Sequence, residues 1–200
     1  MKNIAVFASG RGTNFNAIAD TVKKGKIKAN LALLVCDNPG AMVIERAEKI
    51  GVKVALIERK NFASREDFET EIIKDLHENK IDLVVLAGFM RILSPHLIKE
   101  YKNKIINIHP ALLPSFKGAH AIKDAFDYGV KLTGVTVHFV DEKMDHGAII
   151  LQELVKKTQK DTVQSLEAKI HKVEHKLYPE AINLFVRGKL RIKGRIVEII

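Results

Sequence analysis

The sequence predicts an α/β fold: a single domain over residues 1–200 built on a twisted, mostly parallel sheet with helices on both faces. Its first half, residues 1–100, reads as Rossmann-like and phosphate-binding, and its second half, residues 101–200, as a mixed sheet. Three observations carry this expectation. Short apolar runs at 4–8, 31–35 and 83–87 alternate with stretches of helical period, a rhythm that implies parallel strands joined by right-handed crossovers. The first run ends in Gly10-Arg11-Gly12, a glycine turn leading directly into a helix. After residue 104 the pattern changes to alternating strands separated by polar loops rich in His, Asn and Asp.

Residues 3–9 read as a buried strand, and Gly10-Arg11-Gly12-Thr13-Asn14 turns it into a helix with Phe15, Ile18 and Val22 on its apolar face, ended by Gly25. Such a turn offers unpaired N–H groups to an anion, and the helix dipole favours negative charge there. Phe15 stands where a dinucleotide fingerprint needs a third small residue, so a phosphate monoester fits better than a dinucleotide. The plainer alternative is a helix capped by Asn14 with nothing bound. Residues 31–36 form the second strand, Asn38-Pro39-Gly40 its turn, 41–50 a helix closed by Gly51, and 52–57 a third strand. Ser64 with Asp67 three residues later caps a helix that buries Phe68, Ile72 and Leu76. Arg65 lies in its first turn, where the dipole disfavours a cation. Residues 83–87 are a continuous apolar strand, and Gly88-Phe89-Met90-Arg91-Ile92-Leu93-Ser94-Pro95 follows, with Pro95 opening the next helix. At a strand's carboxyl end this loop is either core packing or a flat slot whose backbone groups read a heterocycle.

The second half holds the densest chemistry. Ile105-Ile106-Asn107-Ile108-His109-Pro110 alternates, which puts Asn107 and His109 on one face of a strand that Pro110 stops. Residues 133–140 alternate again, and the polar loop 141–147 precedes the apolar run 148–151, so that loop can bring Asp145 to the imidazole. A strand-end histidine satisfied by a backbone carbonyl and an acidic loop that is merely solvated are the competing readings. Further on, Asp161 is placed to cap a long helix with Gln164 at the box position and Val163, Leu166, Ile170, Val173 and Leu177 inward, which Pro179 is expected to kink or divide. His171-Lys172-Val173-Glu174-His175 matches the inverted zinc-protease pattern, but a catalytic zinc requires a third protein ligand. Residues 189–200 alternate basic and apolar around Gly194, as a hairpin or protected edge does.

Composition bounds the partners. With 200 residues, 46% hydrophobic and 28% charged, the chain can bury a sizeable core. Its single cysteine, Cys36, permits no internal disulfide and suits a reducing, cytoplasmic setting. The balance of 33 basic against 24 acidic residues gives +9. Those basic residues are scattered, Trp is absent, and neither a base-stacking platform nor a spanning segment is visible. Small anionic substrates are therefore expected rather than nucleic acid or membrane, with the chain a monomer or homodimer.

The segment Asn107-Ile108-His109-Pro110-Ala111-Leu112-Leu113-Pro114, then Gly118, Gly134-Val135-Thr136-Val137-His138-Phe139-Val140 and Met144-Asp145-His146-Gly147, resembles the formyltransferase family that uses 10-formyltetrahydrofolate. The likeness runs from Lys2 to about Gly188 and is specific in order and spacing. It implies the formyltransferase fold and transfer of a formyl group from 10-formyltetrahydrofolate, as co-substrate, to the amine of a phosphoribosylated glycinamide. It implies Asn107, His109 and Asp145 as the catalytic group, and Gly12, Thr13 and Asn14 around the acceptor's phosphate. Glu174 is implied at the glycinamide. Met90, Arg91, Ile92, Leu93 and Asn107 are implied at the folate's pterin end and Arg65 at its glutamate carboxylate, with no metal. Formyltetrahydrofolate hydrolase is the nearest alternative, although the 12–14 loop favours a phosphorylated acceptor. A zinc-dependent peptidase and a non-catalytic phosphate-ligand module are the alternatives from other classes. His146 departs from the family pattern, where a small residue is common.

Overall fold

Strand β1 (Lys2–Phe7) sits at the heart of the first half because Ile4, Ala5, Val6 and Phe7 are all fully buried, leaving no solvent face for an alternating pattern. It pairs in parallel with β2 (Ala29–Cys36) on one side and β4 (Leu83–Leu86) on the other, and β2 pairs in parallel with β3 (Lys53–Leu56), giving the order β3-β2-β1-β4. The connecting helices are α1 (Thr13–Lys23), α2 (Met42–Lys49) and α3 (Arg65–Glu78), with α4 (Pro95–Glu100) following β4. Ser64 and Asp67 form the reciprocal capping box on α3, and Pro95 opens α4 after the Ser94 cap. The computed structural model describes residues 1–200, and they divide into two compact units, Met1–Ile106 and Asn107–Ile200.

Strand β5 (Ile105–His109) carries the chain from the first unit into the second. There, α5 (Ala121–Tyr128) precedes β6 (Leu132–Phe139), which pairs antiparallel with β7 (Ile149–Lys156). Helix α6 (Val163–Val186) packs on β6 and β7 through Leu166, Ile170, Leu177, Tyr178, Ala181 and Ile182. The chain ends in a hairpin of β8 (Leu190–Lys193) and β9 (Ile196–Ile199), with β9 joined in parallel to β7 at Ile149 and Ile196.

Two local expectations are corrected. The N-cap of α6 is Thr162, whose box partner is Ser165; the carboxylate of Asp161 instead receives Lys169 and Thr158. Pro179 lies inside α6 without dividing it, because the apolar face on either side of it, Leu177 to Ile182, is buried and keeps the helix continuous. No helix is long and apolar enough to cross a membrane.

Candidate active site

Within the second unit, alternation along β5 and β6 places four polar groups together. Asn107 Nδ2 lies 3.2 Å from His138 Nε2, and His109 Nδ1 lies 3.4 Å from Asp145 Oδ2. His138 Nε2 is also 3.9 Å from Asp145 Oδ1. His109 and His138 are buried and the Asp145 side chain is only 10% exposed, so these groups interact with little screening by water. Asp145 holds a left-handed backbone, φ 48°, and its Oδ2 accepts the Gly118 N–H at 2.8 Å. That bond ties the loop after β6 to the loop after β5.

Each imidazole has a readable hydrogen-bond state. His138 Nδ1 donates to the Phe139 carbonyl at 2.7 Å, which leaves Nε2 as the acceptor for the Asn107 amide. Burial pushes the His138 pKa down, against the opposing pull of the Phe139 carbonyl and Asp145, so the ring is neutral and suited to accept. It thereby fixes which way Asn107 faces and leaves the amide's second N–H uncommitted to His138. His109 Nε2 donates to the Phe116 carbonyl at 2.8 Å while Nδ1 faces the Asp145 carboxylate.

The loop between β5 and α5 is pinned by buried Thr136 and by Gln152 at the surface. Thr136 Oγ1 donates to the Ala111 carbonyl at 2.7 Å and accepts from Leu113 N–H at 3.0 Å and from Gln152 Nε2 at 2.9 Å. Gln152 Nε2 also reaches the Leu113 carbonyl at 3.0 Å, and the next bond, Leu113–Pro114, is cis. Gly147 closes the other loop: a Cβ there would stand 1.8 Å from the Phe139 carbonyl oxygen, so no larger residue fits.

The candidate binding loops lie in the first unit. Gly12, at φ 73°, is the N-cap of α1, correcting the alternative that placed Asn14 there. A Cβ on Gly12 would lie 2.5 Å from Val43 Cγ2, so both its conformation and its space require glycine. No side chain caps this end of α1 and no acidic residue lies in its first turn, which leaves the amides and the positive end of the dipole suited to an anion. The 88–94 loop is held from behind. Ser9 Oγ donates to Asp37 Oδ1 at 2.6 Å and accepts Met90 N–H at 3.1 Å, and Asp37 Oδ2 pairs with Arg91 Nε. Buried Glu69 accepts Ser94 N–H at 2.7 Å and also bonds its hydroxyl, while Arg65 pairs with Glu69 and donates to the Ile92 carbonyl. Met90 and Ile92 remain 71% and 65% exposed, an apolar surface fitting a flat heterocycle; Leu93, by contrast, is buried.

On α6, Glu174 is buried and accepts from His171 Nδ1 at 2.9 Å, while His171 Nε2 faces Glu167 at 3.3 Å. The bond to Glu174 pushes the His171 pKa up against the effect of burial. With both His171 nitrogens directed at the carboxylates of Glu174 and Glu167, the inverted zinc-protease reading of 171–175 is not favoured.

Several supporting residues carry no role in the motif reading: His138, Thr136 and Gln152 in the second unit, and Ser9, Asp37 and Glu69 in the first. For Thr136 and His138 a signal existed, since two polar residues spaced by two in an otherwise apolar strand share a face and require partners.

The formyl transferase family model matches residues 2–182. Phosphoribosylglycinamide formyltransferase from Bacillus subtilis is 48% identical over 182 residues, 91% of this chain and 93% of that protein. Among solved structures, glycinamide ribonucleotide transformylase 1 from Symbiobacterium toebii superposes with a TM-score of 0.98 at 42% identity, covering 100% of this chain and 94% of that one. The corresponding enzyme from Geobacillus kaustophilus gives 0.91 at 49% identity, covering 93% and 99%.

Proposed function

We propose, for a chain that belongs to the formyl transferase family, that its reaction is transfer of the formyl group of 10-formyltetrahydrofolate to the primary amine of phosphoribosylglycinamide, a one-carbon step of purine synthesis. The observation that carries this reading is the convergence of the Asn107 amide, the His109 imidazole and the Asp145 carboxylate, with Asn107 oriented by neutral His138. Attack of an amine on a formyl carbon forms a tetrahedral oxyanion; the carbon–N10 bond then breaks as the new amide forms, and the proton lost by the amine goes to the departing N10. The second N–H of Asn107 and the His109 imidazole supply donors to that oxyanion. Asp145 faces His109 Nδ1 and, directly or through an ordered water, serves the proton transfer. His109 Nε2–H is engaged by the Phe116 carbonyl, so donation to an oxyanion requires that bond to be exchanged.

In the first unit, the amides of Gly12, Thr13 and Asn14 are assigned to the acceptor's phosphate. Met90, Arg91, Ile92 and Leu93 are assigned to the pterin, with Arg65 to the folate's carboxylate. Leu93 acts as buried support, because its side chain does not reach solvent. In the second unit Asn107 also contacts the formyl end of the folate, and Glu174 takes the glycinamide. Substrates are small molecules, the scattered basic residues favour small anions over nucleic acid or membrane, and the single Cys36 suits a cytoplasmic setting for a monomer or homodimer.

The test mixes the protein with 10-formyltetrahydrofolate, with and without phosphoribosylglycinamide, and follows the folate product. Acceptor-dependent turnover with a formylated product is expected; turnover without the amine would replace this reading with the hydrolase. Gly12→Val is unsuited to probing the phosphate loop, given its φ of 73° and the contact with Val43. Thr13→Ala is the cleaner variant and is expected to raise the acceptor's KM more than the folate's.

A further inference from the structure

The 141–147 loop carries Asp145 in a left-handed conformation, φ 48°, and must keep its carboxylate at His109. Part of that restraint is internal to the loop. Asp141 Oδ1 accepts Lys143 N–H at 3.0 Å, and Asp141 Oδ2 takes His146 Nδ1 at 2.7 Å. Gly118 N–H holds the carboxylate itself, and a further restraint comes from 49 residues away. Arg195, exposed at the turn of the β8–β9 hairpin, donates Nη2 to the His146 carbonyl at 2.8 Å and places Nη1 3.0 Å from His146 Nε2 and 3.3 Å from its Nδ1. The residue beside it, Ile196, is the one through which β9 pairs with β7 at Ile149. The arginine therefore reaches out from a backbone position already fixed two residues beyond the loop's own end at Gly147.

We propose that Arg195 is a positioning residue for Asp145: it straps the 141–147 loop through the carbonyl and ring of His146 and so holds the carboxylate at the His109 imidazole. Charge runs in the right order for such a strap, from the Asp141 carboxylate through the His146 ring to the Arg195 guanidinium. Burial pushes the Asp141 pKa up, but the His146 bond, the Lys143 amide and the Arg195 charge outweigh it, so the pKa lies below the ordinary value and the carboxylate stays ionised. A guanidinium suits the task because its planar fork engages a carbonyl and a neighbouring group together, which an ammonium does not. The strap also accounts for His146 in this chain: a small residue there would offer the carbonyl but no ring to bridge Asp141 and Arg195.

The consequence for turnover rests on the formyl-transfer reading, whereas the geometric claim does not. Full-length wild type, Arg195→Ala and Arg195→Lys are compared by steady-state kinetics and by the ring ¹⁵N resonances of His109. Arg195 is exposed, so both variants are expected to fold, with thermal midpoints close to wild type. For Arg195→Ala, kcat falls on the order of tenfold, a fraction of the ~10²-fold that a 1 Å misplacement can cost, with the acceptor's KM unchanged and the His109 Nδ1 resonance displaced. Arg195→Lys recovers part of both effects. Either readout left at its wild-type value in Arg195→Ala overturns the strap. Failure of the wild type to formylate the acceptor sinks the functional reading alone, because the His109 resonances still decide the positioning claim.

Discussion

The cluster around His109 and the loop at Met90 both lie at or beyond the carboxyl ends of strands, yet they are built in opposite ways. At His109 the functional side chains are themselves buried or half-buried and tied to one another: Asn107 to His138, His109 to Asp145 and the Phe116 carbonyl, Asp145 to Gly118. At Met90 the fixing is done to the backbone from behind, by Ser9, Asp37, Arg65 and Glu69, while Met90 and Ile92 stay exposed. The difference matches the two roles proposed for these segments. Chemistry needs a few atoms held to a fraction of an ångström in a low dielectric, whereas binding a flat heterocycle needs a surface whose shape is fixed and whose face is open. Damage to the first should appear in kcat and damage to the second in KM.

The sharpest break in that contrast comes from the catalytic atoms. Asn107→Ala, His109→Ala and Asp145→Asn are each expected to lower kcat on the order of 10²–10³-fold, the usual loss for one oxyanion donor or its support, with folate Kd little changed. Full activity in Asn107→Ala or His109→Ala would end the proposed mechanism.

Next in size is His138→Leu. It removes the acceptor that orients the Asn107 amide, and losing a hydrogen bond of about 1 kcal/mol at the transition state corresponds to roughly a fivefold to tenfold fall in kcat. An unchanged kcat would show that Asn107 is oriented by something else.

Asp37→Asn tests the other region. It weakens the hold on Arg91 and Met90 without touching the exposed face, and should raise the folate's KM by about twofold to fivefold, the range for a partly exposed charge pair, with kcat preserved. A fall in kcat with KM unchanged would erase the distinction between the two regions.

The smallest effect is in the pH dependence of stability. Burial holds His138 below the ordinary imidazole value, so the unfolded chain takes up this proton first; its contribution is complete above about pH 6.5 and lost as pH falls below it. His171 is raised by Glu174 and has the opposite sign: its contribution is complete below about pH 6.5 and lost as pH rises through its folded value. Thermal midpoints measured across this range should tilt in opposite directions for His138→Leu and His171→Leu relative to wild type. Parallel curves would contradict these assignments.

Local pattern carried much of the architecture. The order of strands and helices follows from apolar periodicity, the start of α3 from Ser64 and Asp67, and that of α4 from Pro95, because each depends on residues within a few positions of one another. The same locality explains the failure at α6: Asp161 and Thr162 are adjacent polar residues, each able to cap, and the bonds that Lys169 and Thr158 make to Asp161 separate them. Pro179 does not divide α6 for a related reason, since the burial that keeps the helix continuous lies on β6 and β7. In the candidate site, the motif order singled out Asn107, His109 and Asp145 together, and period-two alternation put the first two on one face. Which nitrogen of His109 faces Asp145, the neutrality of His138, the Thr136–Gln152 brace and the reach of Arg195 to His146 were decided only by tertiary structure. Hydrogen-bond direction and burial depend on neighbours tens of residues apart, and no local pattern records them.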